Sequence, residues 1–148
     1  MLNKVLFEKG KLAFNRAEYF EAHEIWEEIW QDLRINEPES LEITLLQALI
    51  QLAVALHLIQ EDRLIGAKKV LERARINIDN SNELIWSKVN TPKLASEDER
   101  HDKQCVINGV NIELLYQEII RFLGKSDFDN CRTGLNSKAN IFEGYLKI

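Results

Sequence analysis

The stretch Tyr19-Phe20-Glu21-Ala22-His23-Glu24-Ile25-Trp26-Glu27-Glu28-Ile29-Trp30 decides the fold. At 3.6 residues per turn, Tyr19, Ala22, Trp26, Ile29 and Trp30 fall on one side of a helix, and the run lacks the period-two alternation of a strand. His23 lies on that apolar side between Tyr19 and Trp30, and Glu27 lies at its edge beside Phe20. Glu21, Glu24 and Glu28 point the other way. Four residues separate His23 from Glu27, so their side chains are neighbours on one face.

Outward from this segment the chain reads as helices. A first helix is expected from about Asn3 to Phe14, with Val5, Leu6, Leu12 and Ala13 as its apolar positions. Asn15 with Glu18 has the spacing of an N-terminal cap pair for a second helix over about 17–33. Residues 36–40 form a loop, and Ser40 caps a third helix from about Leu41 to Gln60. That helix is apolar around most of its circumference, broken by Glu42 and the stripe Thr44, Gln47 and Gln51, and so reads as the buried central helix. A fourth helix runs from about Leu64 to Ile78, with Lys68, Lys69, Glu72 and Arg75 on a solvated face.

A weak internal repeat aligns Tyr19–Ala22 with Leu64–Ala67, and Ile25-Trp26 with Val70-Leu71. The unit is a helical hairpin with spacing like that of a tetratricopeptide hairpin. Further on, 96–99 opens a short helix, and Gly109-Val110-Asn111 introduces a last helix from about Ile112 to Leu123, closed by Gly124. The expected fold class is all-α. It is a helical bundle built from two helix-turn-helix hairpins plus a C-terminal helix, in a single domain spanning 1–148. The core bundle covers about 3–124, and 125–148 is a polar tail.

Composition supports one globular core: 148 residues, 45% apolar and 29% charged. The net charge of −5 comes without any dense basic stripe, which argues against a nucleic-acid partner. Cys105 and Cys131, far apart and in no metal-ligand spacing, read as free thiols of a reducing compartment. No apolar leader opens the chain. The longest apolar run, Leu41 to Ile59, is interrupted by Glu42, Thr44, Gln47, Gln51 and His57, so no membrane span is expected. The expectation is a soluble, cytoplasmic protein.

On the third helix His57 shares an apolar side with Leu46, Ile50 and Ala53. His23, Glu27 and His57 are thus a candidate polar core site, two imidazoles and one carboxylate. One reading is structural: a core histidine satisfied by a carboxylate and a carbonyl. The other is a site for a divalent metal or for acid–base chemistry. The segment has neither the second histidine of a zincin nor the Glu-x-x-His pairs of di-iron bundles. Trp26 and Trp30 read as core anchors. The sequence contains no glycine-rich phosphate loop and no Gly-x-Ser-x-Gly nucleophile elbow.

The run Phe14-Asn15-Arg16-Ala17-Glu18-Tyr19-Phe20-Glu21-Ala22-His23-Glu24-Ile25-Trp26-Glu27-Glu28-Ile29-Trp30 resembles a bacterial and archaeal domain family, the one numbered 309 among the domains of unknown function. That family's pattern is Phe-Asn-x-Gly-x-Tyr-Phe-x-Ala-His-Glu-x-x-Glu-x-x-Trp. A second stretch agrees, Leu46 to His57, followed by Gly66-Ala67 and Leu71-Glu72-Arg73-Ala74. The resemblance is strong over about Phe7 to Arg75. It implies an all-α fold and makes His23, Glu24, Glu27, Trp30, Gln51 and His57 the motif residues. It brings no agreed activity, substrate or cofactor. Ala17 and Ala48 replace family glycines, and His57-Leu58 replaces a frequent His-His pair. Two functions follow as expectations. The first is a non-enzymatic interaction or structural module, facing a protein partner or a second copy of the chain. The alternative is a metal- or acid–base-dependent enzyme acting on a small molecule.

Overall fold

The computed structural model describes residues 2–89, 106–107 and 109–124. Its helices are α1 (Lys4–Asn15), α2 (Tyr19–Asn36), α3 (Leu41–Gln60), α4 (Leu64–Val89) and α5 (Ile112–Gly124). A two-residue antiparallel ladder, β1 (Val106–Ile107) with β2 (Val110–Asn111), precedes α5. Helix α3 packs between α2 and α4, α1 packs on α2, and α5 packs on α4. The bundle is all-α, as its periodicity predicts. The short helix expected at 96–99, the tail 125–148 and both cysteines lie outside the described residues.

The two hairpins turn through the same backbone device. At the end of α1 the amide of Glu18 donates to Ala13 O (3.0 Å) and that of Ala17 to Phe14 O (3.0 Å), with Ala17 at φ 60°. At the end of α3, Arg63 donates to Leu58 O (2.8 Å) and Asp62 to Ile59 O (3.1 Å), with Asp62 at φ 59°. Both are Schellman closures, in which one left-handed residue satisfies the last carbonyls of the helix. They give the internal repeat its physical content. Gln60 Nε2 then donates to Ala17 O (3.0 Å), tying the end of α3 to the α1–α2 turn.

Several boundaries move from their sequence expectations for visible reasons. Asn15 ends α1 and does not cap α2, whose N-cap is Glu18 without a side-chain hydrogen bond. Helix α2 continues to Asn36, whose amide donates to Asp32 O and Oδ1. Ser40 caps α3 as expected, accepting from Glu42 N. Helix α4 runs on to Val89 through a polar stretch, bridged by an Arg75–Asp79 ion pair at 3.0 Å. Asn111 caps α5, accepting from Leu114 N at 3.0 Å.

Helix α1 is rolled from the face its apolar residues suggest: Ala13 is buried and Leu6 packs on the core, but Val5 and Leu12 are exposed. Val5 is 80% exposed, whereas Phe7, Gly10, Lys11 and Ala13 are buried. Trp26 explains the roll. It is fully buried beneath α1, and its Nε1 donates to Phe7 O at 3.4 Å. A Cβ on Gly10 would lie 2.2 Å from that nitrogen. Lys11 lays its stem along this seam, with its ammonium 2.9 Å from Glu8 and 5.9 Å from the Phe7 ring centroid.

Two substitutions should move stability in opposite directions. Gly10→Ala forces Trp26 out of place and is expected to lose about 1–3 kcal/mol. Ala17→Gly relieves a left-handed alanine, and the relief exceeds the added unfolded-state freedom, for a net gain of about 0.5–1 kcal/mol. Urea unfolding of both variants checks this pair of signs.

Candidate functional site

Burial of Ala22, Trp26, Ile29 and Leu33 sets the roll of α2, and it leaves His23 and Glu27 at the edge of the buried face. There His23 is part-buried, its side chain 17% exposed. Its Nδ1 lies 3.1 Å from Phe20 O, one turn back on the same helix. A carbonyl only accepts, so Nδ1 carries the proton and donates. The other nitrogen, Nε2, faces Glu27 Oε2 at 3.2 Å. Glu27 Oε1 accepts from Gln31 Nε2 at 3.4 Å, which holds the carboxylate from its far side.

Glu24 joins this pair. The helical wheel turns it away from His23, yet its Oε1 reaches to 3.6 Å from Nδ1. The side chain is long enough to fold back over the ring from an exposed position. One donor atom from each of His23, Glu24 and Glu27 lies within 4.8 Å of the other two. These three are what the structure brings together.

His57 stands apart from them. The Phe20 ring packs against both imidazoles, with centroids 5.3 Å from His23 and 5.4 Å from His57. His57 Nε2 instead faces Glu61 Oε1 at 3.5 Å, a second i,i+4 imidazole–carboxylate pair, on α3. The rim therefore holds two such pairs on neighbouring helices. Phe20, 56% exposed, packs on the histidine of each. Sequence periodicity places His23 and His57 on apolar sides, but both sit at the partly exposed margin of the core.

The remaining motif residues have other duties. Gln51 Oε1 accepts from Asn77 Nδ2 at 3.1 Å and bridges α3 to α4. Trp30 is a part-buried anchor with the Arg34 guanidinium 4.6 Å over its ring, and its Nε1 is buried without a hydrogen-bond partner among the described residues. Tyr19, one turn before His23, packs edge-on against Phe14 at 5.1 Å. Burial pushes its hydroxyl up to about 12.

With the geometry in place, the comparisons bear on this same segment. Residues 7–70 match the family model described as Domain of unknown function (DUF309). Neither the curated proteins nor the solved structures give a significant match to the chain. The matched segment covers α1 from Phe7 onward, α2, α3 and the first turns of α4. It includes His23, Glu24, Glu27, His57 and Glu61, so the whole rim falls within the match, whereas α5 lies beyond it.

The raised Tyr19 value has a definite sign. A hydroxyl with a folded value above the unfolded 10 gives its full stabilisation below pH 10 and loses it as pH rises toward about 12. A titration followed by tyrosinate absorbance should show a delayed step near that value or coincident with unfolding, and Tyr19→Phe should lack it. Ionisation of every tyrosine near pH 10 with the fold intact would contradict the burial.

Proposed function

We propose that this protein is a helical-bundle module, structural or interactive in role, that holds a divalent cation at the rim beside α3. His23 and Glu27 are its primary ligands, and Glu24 is a second carboxylate within reach. One observation carries the reading. With Nδ1 donating to Phe20 O, the neutral ring presents the Nε2 lone pair to Glu27 Oε2 at 3.2 Å. Two acceptors at that separation repel unless a positive charge sits between them. A proton on Nε2 would serve, and so would a metal ion.

The spacing suits the ion. Nitrogen and oxygen ligands about 2.0–2.2 Å from a tetrahedral zinc lie about 3.3–3.6 Å apart, close to the observed separation. The Nδ1–carbonyl bond is the outer contact that orients a metal-ligating imidazole. Imidazole with carboxylate suits zinc and its divalent neighbours better than calcium or magnesium. A second reading, a metal- or acid–base-dependent enzyme on a small molecule, is favoured by the openness of the site. Glu24 and Glu27 are partly exposed, so a bound ion would keep positions for water or substrate. Both readings take the protein as soluble and cytoplasmic, with the apolar length of α3 used in the core.

Calorimetric titration of zinc and manganese into protein purified without a metal-affinity tag tests the proposal. One ion per chain is expected, with His23→Ala and Glu27→Gln weakening it by more than about a hundredfold, beyond the loss of an outer contact. His57→Ala should leave it nearly unchanged. Absent binding, or binding indifferent to His23→Ala, would overturn it. Hydrolysis of a small ester by the zinc-loaded protein, abolished in His23→Ala, would favour the enzyme.

A further inference from the structure

Two helix faces of opposite charge point outward from this bundle. On α2 the positions Phe20, Glu21, Glu24, Glu28, Gln31, Asp32 and Ile35 fall within one stripe of about 120° and are all exposed. The segment 17–33 contains six carboxylates and no lysine or arginine. Glu21 and Glu28 make no ion pair among the described residues. Ile35, 80% exposed, and Phe20 stand at the two ends of the stripe.

On α4 the exposed stripe is Ile65, Lys68, Lys69, Glu72, Arg73 and Ile76. Ile65, 78% exposed, and Ile76 run down its middle, with Lys68 on one flank and Lys69 and Arg73 on the other. None of these three cations is paired among the described residues. The two stripes lie on different helices, each packed on α3.

We infer that the protein self-associates through a heterologous contact, the acidic α2 stripe of one copy against the basic α4 stripe of the next. The charged residues of the α2 stripe are all acidic and the α4 stripe has three cations to one carboxylate, and each carries large apolar side chains that such a contact would cover. Single exposed apolar residues are ordinary on a protein surface. Here two sets of them sit within complementary charge on the same chain. A contact between two different faces is not self-limiting and gives rings or short open chains, depending on the angle between copies. The α2 stripe meets the cation site only at Glu24, and the α4 stripe shares no residue with it.

The test is sedimentation equilibrium of the full chain at low and high salt. The weight-average mass should rise above the 17.2 kDa of one chain with concentration, and fall back as salt screens the stripes. Glu21→Lys/Glu28→Lys and Lys69→Glu/Arg73→Glu should each weaken association at least about tenfold, through like charges opposed across the contact. Mixing the two variants should restore a complex, since the unaltered α2 stripe of the α4 variant still meets the unaltered α4 stripe of the α2 variant. Zinc titration of the Lys69→Glu/Arg73→Glu variant, altered on α4 away from the ligands, should match the unaltered protein if the cation reading holds, so the two proposals can fail separately. A mass of one chain at every concentration and salt would overturn the inference. So would association that survives both reversals, or a mixture that stays monomeric.

Discussion

The approach of α1 to α2 over Trp26 is the constraint on which the rest of the arrangement depends. The indole is fully buried against Phe7 and Phe14, and only a glycine at position 10 leaves room for it. Its hydrogen bond to Phe7 O satisfies the one polar atom that burial takes from water. With Trp26 pinned, the roll of α2 is no longer free. His23 lies about 60° round the helix from Trp26 and Glu27 about 100°, which brings both to the margin of the core. The candidate site is thus a consequence of packing on an adjoining face of the same helix.

Matching helix closures then decide which residues meet at that margin. Ala17 and Asp62 end α1 and α3 in the same left-handed conformation, and Gln60 bonds across to Ala17 O. This gathers the start of α2 and the end of α3 at one end of the bundle. Phe20 and His57 come into ring contact there, each histidine with its own glutamate one turn on. Two imidazole–carboxylate pairs thus flank one shared, exposed phenylalanine. Their chemistry differs, because only His23 has the backbone carbonyl of Phe20 bonded to its second nitrogen.

Much of this was legible in the chain because the relevant signals are local. The ends of α3 follow from a serine cap and a polar turn, and the His23–Glu27 pairing follows from a spacing of four. The buried face of α1 was not legible. Val5 and Leu12 look like core on composition, whereas Gly10 and Lys11 take that role because Trp26, sixteen residues beyond Gly10, selects the side that can approach. A wheel also treats side chains as points, so it turns Glu24 away although its length brings it back to His23. The separation of His57 from His23 by Phe20 depends on the relative position of two helices along their axes. Neither helix encodes that by itself.

The central proposal is that the neutral ring of His23 keeps its proton on Nδ1, facing Phe20 O, and turns its Nε2 lone pair toward Glu27, where a cation would bind. Long-range proton–nitrogen correlation spectra of the histidine rings read this directly, with and without zinc. The account predicts that neutral His23 is the Nδ1–H tautomer and that its Nε2 resonance moves on zinc addition while Nδ1–H persists. A neutral His23 protonated on Nε2, with both nitrogens indifferent to zinc, would contradict it.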